Sequence, residues 1–231
     1  MYGEAGLLRL RQAHIVVVGV GGVGSWAAEA IARSGVGEIT LIDMDHVSES
    51  NINRQLPALG STVGASKIEV MGARIADINP EIKLHMIDDF VTSDNVQELL
   101  GAGVQVLVDA IDQPRAKAAM IAWAKLKKIP VFVCGAAGGR KSATDFALTD
   151  IALVKGDALI ASVRGRLRRD YEYSRVAGEK FGVIAVHSLE LPQATKSNDG
   201  GLNCGGYGSS VMVTAAMGFA AANAAIESIL K

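Results

Sequence analysis

The sequence predicts an α/β fold, doubly wound around a mostly parallel sheet. Three observations carry that expectation. Strand-like and helix-like segments alternate five times between residues 14 and 134. The first two strand-like segments are short and apolar, as strands covered on both faces require. The first run, HIVVV at 14–18, leads directly into a glycine cluster that opens a helix.

The elements follow in order. Residues 22–34 place Val23, Trp26, Ala27, Ala30 and Ile31 on one helical side, and Gly35 and Gly37 end that helix. Residues 39–42 form a second buried strand, ending at Asp43, and the stretch to Gly64 is polar and turn-rich. A helix over 67–79 stops before Pro80. Strands are expected at 83–87, 104–108 and 130–134, and helices at 93–100 and 114–127. Beyond Gly135 the pattern changes to an antiparallel C-terminal extension. Residues 144–154 alternate weakly, as an edge strand would. Residues 157–171 form a basic amphipathic helix, 183–187 a strand in which His187 packs, 188–208 a long loop and 209–230 a terminal helix. With no repeat and no linker, 1–231 is expected to be one domain. Residues 1–136 form its Rossmann-like nucleotide-binding half, and 137–231 its substrate-side half and terminal helix.

Composition narrows the classes. At 231 residues and 49% hydrophobic, the chain has material for a large core and is not disordered. Lys+Arg 23 against Asp+Glu 24 gives net −1, so a nucleic-acid partner needs a local basic patch. Two cysteines, Cys134 and Cys204, make neither a four-cysteine zinc site nor a disulfide framework, and they suggest a reducing, cytoplasmic setting. The charged start MYGEAGLLRLRQAH does not read as a signal peptide. Residues 200–226 carry no charge, but Ser209, Ser210, Thr214 and Asn223 dilute the stretch. Its small residues suit a helix packed on a sheet better than a membrane span.

The chemistry starts at Gly19, Gly21, Gly22 and Gly24. Glycines after a strand let backbone approach phosphate, and the helix N-terminus that follows favours negative charge. Asp43, 19 positions after Gly24, can accept from ribose hydroxyls. Alone this pattern suggests a dinucleotide, or a tight turn with no ligand. The next stretch favours a triphosphate. It holds Asp45, Asn51, Arg54, Gln55 and Lys67, with Arg54 offering a planar fork to phosphate and Lys67 a point charge. Asp45 and Asp112, the latter just past the fourth strand, are candidates for Mg²⁺. Taken singly, each of these residues also suits a solvated polar loop.

Taken together, these positions resemble the ATP-binding pattern of the E1-like adenylating superfamily, over residues 14 to 136. The resemblance implies attack of a substrate carboxylate on the α-phosphate of Mg-ATP. In that scheme Asp43 holds the ribose, Asn51 and Gln55 orient the nucleotide, Arg54 and Lys67 neutralise triphosphate charge, and Asp112 positions the metal. The remainder is similar to the superfamily's bacterial branch that dehydrates threonylcarbamoyladenosine in tRNA to a cyclic form. The similar segments are Asp88-Asp89-Phe90-Val91, Asp109-Ala-Ile-Asp112, Gly135-Ala-Ala-Gly138-Gly139, and Asn203-Cys204 through Gly208 to Thr214. That branch implies a homodimer and a cysteine desulfurase or sulfur-acceptor partner. It also brings a reactive cysteine near Cys204, which otherwise reads as a small apolar residue; Cys134 reads as core. Arg164, Arg166, Arg168 and Arg169, with Tyr171, Tyr173, Arg175 and Lys180, are the candidates for tRNA contact, against a solvated helix face. Arg140 and Lys141 are expected to extend that surface. Superfamily ATP sites are completed by a partner-subunit arginine in an N-terminal stretch. Here the first strand comes almost at once, with only Arg9 and Arg11 before it, so the chain is expected to be truncated or its site incomplete. Two other readings stay open. One is an adenylyltransferase acting on a sulfur-carrier protein, against which the lack of paired Cys-x-x-Cys motifs counts. The other is a non-catalytic nucleotide-binding adaptor.

Overall fold

The computed structural model describes residues 1–101, 103–193 and 208–231. Among these, seven strands form one sheet: β1 (His14–Val18), β2 (Glu38–Ile42), β3 (Lys83–Ile87), β4 (Val106–Asp109), β5 (Val131–Cys134), β6 (Phe146–Asp150) and β7 (Ile184–Ser188). Their order is β3-β2-β1-β4-β5-β7-β6. Every pair is parallel except β6 on β7, which is the antiparallel edge expected from 144–154. The order reverses between β1 and β4, and in such sheets the ligand crevice lies at the carboxyl ends of those strands.

The helices are α1 (Gly3–Arg11), α2 (Gly24–Arg33), α3 (Lys67–Ile78), α4 (Val96–Leu100), α5 (Pro114–Lys127), α6 (Ala158–Asp170) and α7 (Val211–Leu230). Strand β1 shows why they split into two layers. All five of its residues are buried. Ile15 and Val17 point into one core with Leu10, Ile31, Met71, Ile75 and Met217, under α1, α2, α3 and α7. Val16 and Val18 point into the other with Leu100, Met120, Ile121, Ile160 and Leu167, under α4, α5 and α6. Each such side chain contributes about 1.5–3 kcal/mol on burial, so one strand anchors both layers.

Local signals set the ends. Pro114 opens α5, where a missing N–H costs nothing. The Asp157 side chain caps α6 by accepting from the Ile160 amide at 3.0 Å, and Ser210 caps α7. Helix α7 is long and apolar enough to cross a membrane, and half of its apolar window is buried in the fold. Its Gly218 packs on α2, where a Cβ would stand 2.5 Å from the Val23 carbonyl oxygen. Helix α1 lies where the sequence analysis expected no element. It buries little more than Gly6 and Leu10, and Arg9 Nη1 donates to the Leu230 carbonyl at 2.6 Å, capping the end of α7.

Candidate active site

The turn between β1 and α2 is built by contact. Gly19 has φ +86°, and a Cβ there would lie 2.8 Å from Ile111 Cγ2. A Cβ on Gly24 would overlap the Gly19 carbonyl oxygen. These two glycines therefore lock the turn against the loop after β4. Gly21 and Gly22 serve differently. Among the described residues, a Cβ on Gly21 would meet only Gln55 Nε2, at 3.9 Å, which leaves room on its outer side for a ligand. Gly22 faces the Arg54 side-chain stem, with Cγ at 3.4 Å. The turn delivers the N-terminus of α2 to the crevice, where it favours an anion.

Asp43, at the end of β2, ties the site together. It is 8% exposed. Its Oδ2 accepts the Val20 amide at 2.6 Å, and its Oδ1 accepts the Asp45 amide at 2.8 Å. One carboxylate thus holds both the glycine turn and the loop after β2, and its remaining lone pairs can serve ribose hydroxyls. Asp45 continues the chain of contacts, pairing with Lys67 Nζ at 2.7 Å. Lys67 is buried at the start of α3, so its charge is fixed in place.

The loop between Asp45 and Lys67 is ordered by its own polar groups. Ser48 and Asn51 form a capping box around a short 3₁₀ turn, Glu49–Asn51, in which Asn51 is buried. Arg54 donates through Nη1 to the Ser50 carbonyl at 2.7 Å and Asn53 Oδ1 at 3.1 Å. Its other guanidinium N–H groups have no acceptor among the described residues. The Arg54 carbonyl accepts from Trp26 Nε1 and Thr214 Oγ1, which joins the loop to α2 and α7. Gln55 is buried, and its Oε1 has no partner among the described residues. A buried amide oxygen left unpaired is expensive. This one lies beside the open side of Gly21, where a nucleotide donor would satisfy it.

Asp112 stands exposed between β4 and α5. Two carboxylates, Asp45 and Asp112, are what Mg²⁺ uses when phosphate supplies the other oxygens. Among the described residues, no group of three or more His, Cys, Asp or Glu gathers for a metal.

Behind Asp112 lies a pair that the sequence analysis missed. Asp109 and Lys117 are both fully buried, with Lys117 Nζ 2.9 Å from Asp109 Oδ1 and 3.3 Å from its carbonyl. Burial pushes the Asp109 carboxyl above the usual range, and Lys117 opposes this. The signal was present as a lysine inside the apolar run Ala116–Met120, which has no reason to be buried without a counter-charge. Cys134 is core as expected, 1% exposed, its thiol pushed up to about 12 by burial. Cys204 lies outside the described residues.

The arginines of α6 are used internally. Arg164 donates to the Ile151 and Val154 carbonyls, and Arg168 to the Ser174 carbonyl at 3.1 Å. Arg166 and Arg169 both pair with Asp170. Arg140 does not extend a surface as expected. It is 2% exposed and binds the Glu190 and Ala136 carbonyls and the Asp157 carboxylate. His187 packs as expected, bonded to Thr149 Oγ1.

Comparison with known proteins extends beyond the nucleotide half. The chain is 45% identical to a tRNA threonylcarbamoyladenosine dehydratase of Haemophilus influenzae, over all of this chain and 91% of that protein. It is 44% identical to the Escherichia coli dehydratase, with the same coverage of each. The crystal structure of the Escherichia coli enzyme in complex with ATP superposes with TM-score 0.91 at 45% identity, over 99% of this chain and 90% of that one. A match to the ThiF family spans residues 1–231, and the chain therefore belongs to the ThiF family.

Proposed function

We propose that this chain dehydrates N6-threonylcarbamoyladenosine in tRNA to its cyclic form, adenylating the threonyl carboxylate with ATP. The observation that carries this reading is likeness to the dehydratases along their length, at 44–45% identity and 91% of those proteins. The carboxylate oxygen attacks the α-phosphorus and pyrophosphate leaves. The threonylcarbamoyl group then attacks the activated acyl carbon from within the same nucleoside, and AMP departs with the carboxylate oxygen. The net change in the nucleoside is loss of one water.

This chain's residues supply position and charge. Gly21 and the α2 N-terminus cradle phosphate. Asp43 holds the ribose, and Asn51 and Gln55 orient the nucleotide. Arg54 and Lys67 stabilise charge on the departing pyrophosphate. Asp45 and Asp112 would hold Mg²⁺, which would supply neutralisation of phosphate charge. The enzyme works in the cytoplasm as a homodimer of single-domain subunits, with a cysteine desulfurase or sulfur-acceptor protein as the partner that the family resemblance implies. The carrier-protein reading is not favoured: the chain lacks the paired Cys-x-x-Cys motifs of the zinc-bearing adenylyltransferases.

The test is mass spectrometry of nucleosides from tRNA bearing threonylcarbamoyladenosine, incubated with this protein, Mg²⁺ and ATP. Loss of one water mass that requires ATP is expected. An unchanged nucleoside, with the substrate verified, would overturn the reading.

A further inference from the structure

Helices α5 and α6 lie side by side on one face of the sheet and end together, away from the glycine turn. The Ala136 amide, just past β5, donates to Asp157 at the start of α6 at 2.9 Å. At the other end, Lys125 Nζ donates to the Phe181 carbonyl at 3.4 Å and sits 4.3 Å over the Tyr173 ring. The 14 residues of α5 separate this edge from Asp112 by about 21 Å.

The edge is strongly basic in a chain that is not. Residues 125–128 and 166–180 hold eight Lys and Arg against three Asp and Glu, a net of +5 in a chain of net −1. Some of that charge is spent, on Asp170 and on backbone carbonyls. Lys127, Lys128, Arg175 and Lys180 are exposed and make no ion pair among the described residues. The C-terminal end of α5 favours one or two cations, but it does not account for Arg175 and Lys180 from another segment.

Between the two helix ends lies a cleft of about 460 Å³, lined by Lys125, Tyr171, Tyr173, Glu179, Lys180 and Phe181, among others. Tyr173 lines this cleft, and its buried hydroxyl has no partner among the described residues. Burial pushes that phenol up to about 12, so at neutral pH it remains a donor. A covered donor without an acceptor, set among free cations, fits a ligand rich in anionic oxygens.

We infer that this edge is a second tRNA contact, in which Lys127, Lys128, Arg175 and Lys180 bind backbone phosphates and Tyr173 donates to a phosphate or sugar oxygen. The inference rests on the tRNA reading above. A double helix carries one charge per about 1.7 Å of axis, so the 21 Å between edge and reaction site spans about a dozen phosphates of one bound stem. Such contacts set register without reading bases, which suits an enzyme whose target nucleoside is recognised elsewhere. An acidic protein would match the charge but has no evident need for the buried donor.

The test compares wild type, Lys127→Gln/Lys128→Gln/Lys180→Gln and Tyr173→Phe, measuring tRNA binding across a salt series together with cyclisation kinetics. The triple variant is expected to bind at least tenfold more weakly at low salt. Its log–log salt slope should be shallower by about 2 to 3, from about 0.7–0.9 per phosphate contact. KM for tRNA should rise while kcat and KM for ATP hold. Tyr173→Phe should weaken binding about threefold with an unchanged slope. Unaltered affinity and slope in the triple variant would overturn the inference and leave the edge to a protein partner. Failure of wild type to cyclise its substrate would instead count against the functional reading, and the binding slopes would still judge this one.

Discussion

The two ends of the sheet handle charge in opposite ways. At the carboxyl ends of the strands, three carboxylates are tied to the protein. Asp43 holds two loop amides, Asp45 holds Lys67, and Asp109 holds Lys117. At the opposite edge Lys127, Lys128, Arg175 and Lys180 stand in solvent without ion pairs among the described residues. Chemistry on a phosphate needs charges whose positions are fixed before the substrate arrives, since reorganising them costs rate. Attraction of a large polyanion needs only charge density, and free side chains supply it. The difference separates residues that act by position from residues that act by sign.

The largest effect should come from the fixed end. Gly24→Ala places a methyl group on the Gly19 carbonyl oxygen. Loss of ATP turnover together with a large drop in melting temperature is expected, read by pyrophosphate release and calorimetry. Arg54→Ala should lower ATP consumption by about 10³-fold or more, roughly 4 kcal/mol of transition-state stabilisation, while the melting temperature stays put. Near-normal turnover there would remove Arg54 from the phosphate site.

Lys117→Met should destabilise the fold by about 3–5 kcal/mol, because Asp109 is left buried and uncompensated. Asp109 would then fold as the neutral acid, its pKa raised above the unfolded value. The variant should therefore regain stability as pH falls and lose it as pH rises. Adding Asp109→Asn should restore much of the loss, as denaturant melts would show. The smallest effect concerns Glu29, which joins α2 to α3 through Arg74 and carries Arg33 as well. Burial pushes its carboxyl up, but the hydrogen bonds from Arg74 and Arg33 outweigh this and hold it below the ordinary value of 4.5. Its contribution is present above that pH and is lost as pH falls through the lowered pKa. Glu29→Gln should flatten the acid limb of the stability curve by about 1 kcal/mol, since both arginines are partly solvated.

Legibility followed the same division. Strand β1 and helix α5 lie where the sequence placed them, because a continuous apolar run and an N-terminal proline are local signals. The glycine turn and Asp43 also read from spacing and Lys67 from its charge, and the structure brings them into one chain of contacts. Helix α1 escaped because its stability comes from the far end of the chain: Gly6 and Leu10 are buried and Arg9 binds Leu230. The α6 arginines misled in a different way. Composition shows that Arg164 is basic, but only the fold shows that two carbonyls already occupy it. The Asp109–Lys117 pair needed knowledge of which face of α5 turns inward.

Helix α7 gives the ATP cradle a dependence on the order of synthesis. The loop that carries Arg54 is braced by Thr214 and by the Ser209 carbonyl, about 160 positions further along the chain. Gly218 presses on α2 just past the glycine turn. Such distant contacts form late, because closing a long loop costs entropy before any contact rewards it. A nascent chain therefore carries every recognisable nucleotide motif by residue 112 yet cannot finish building the cradle until helix α7 has left the ribosome. Chains stopped before Ser209 should fail to retain ATP while keeping each residue of the motif.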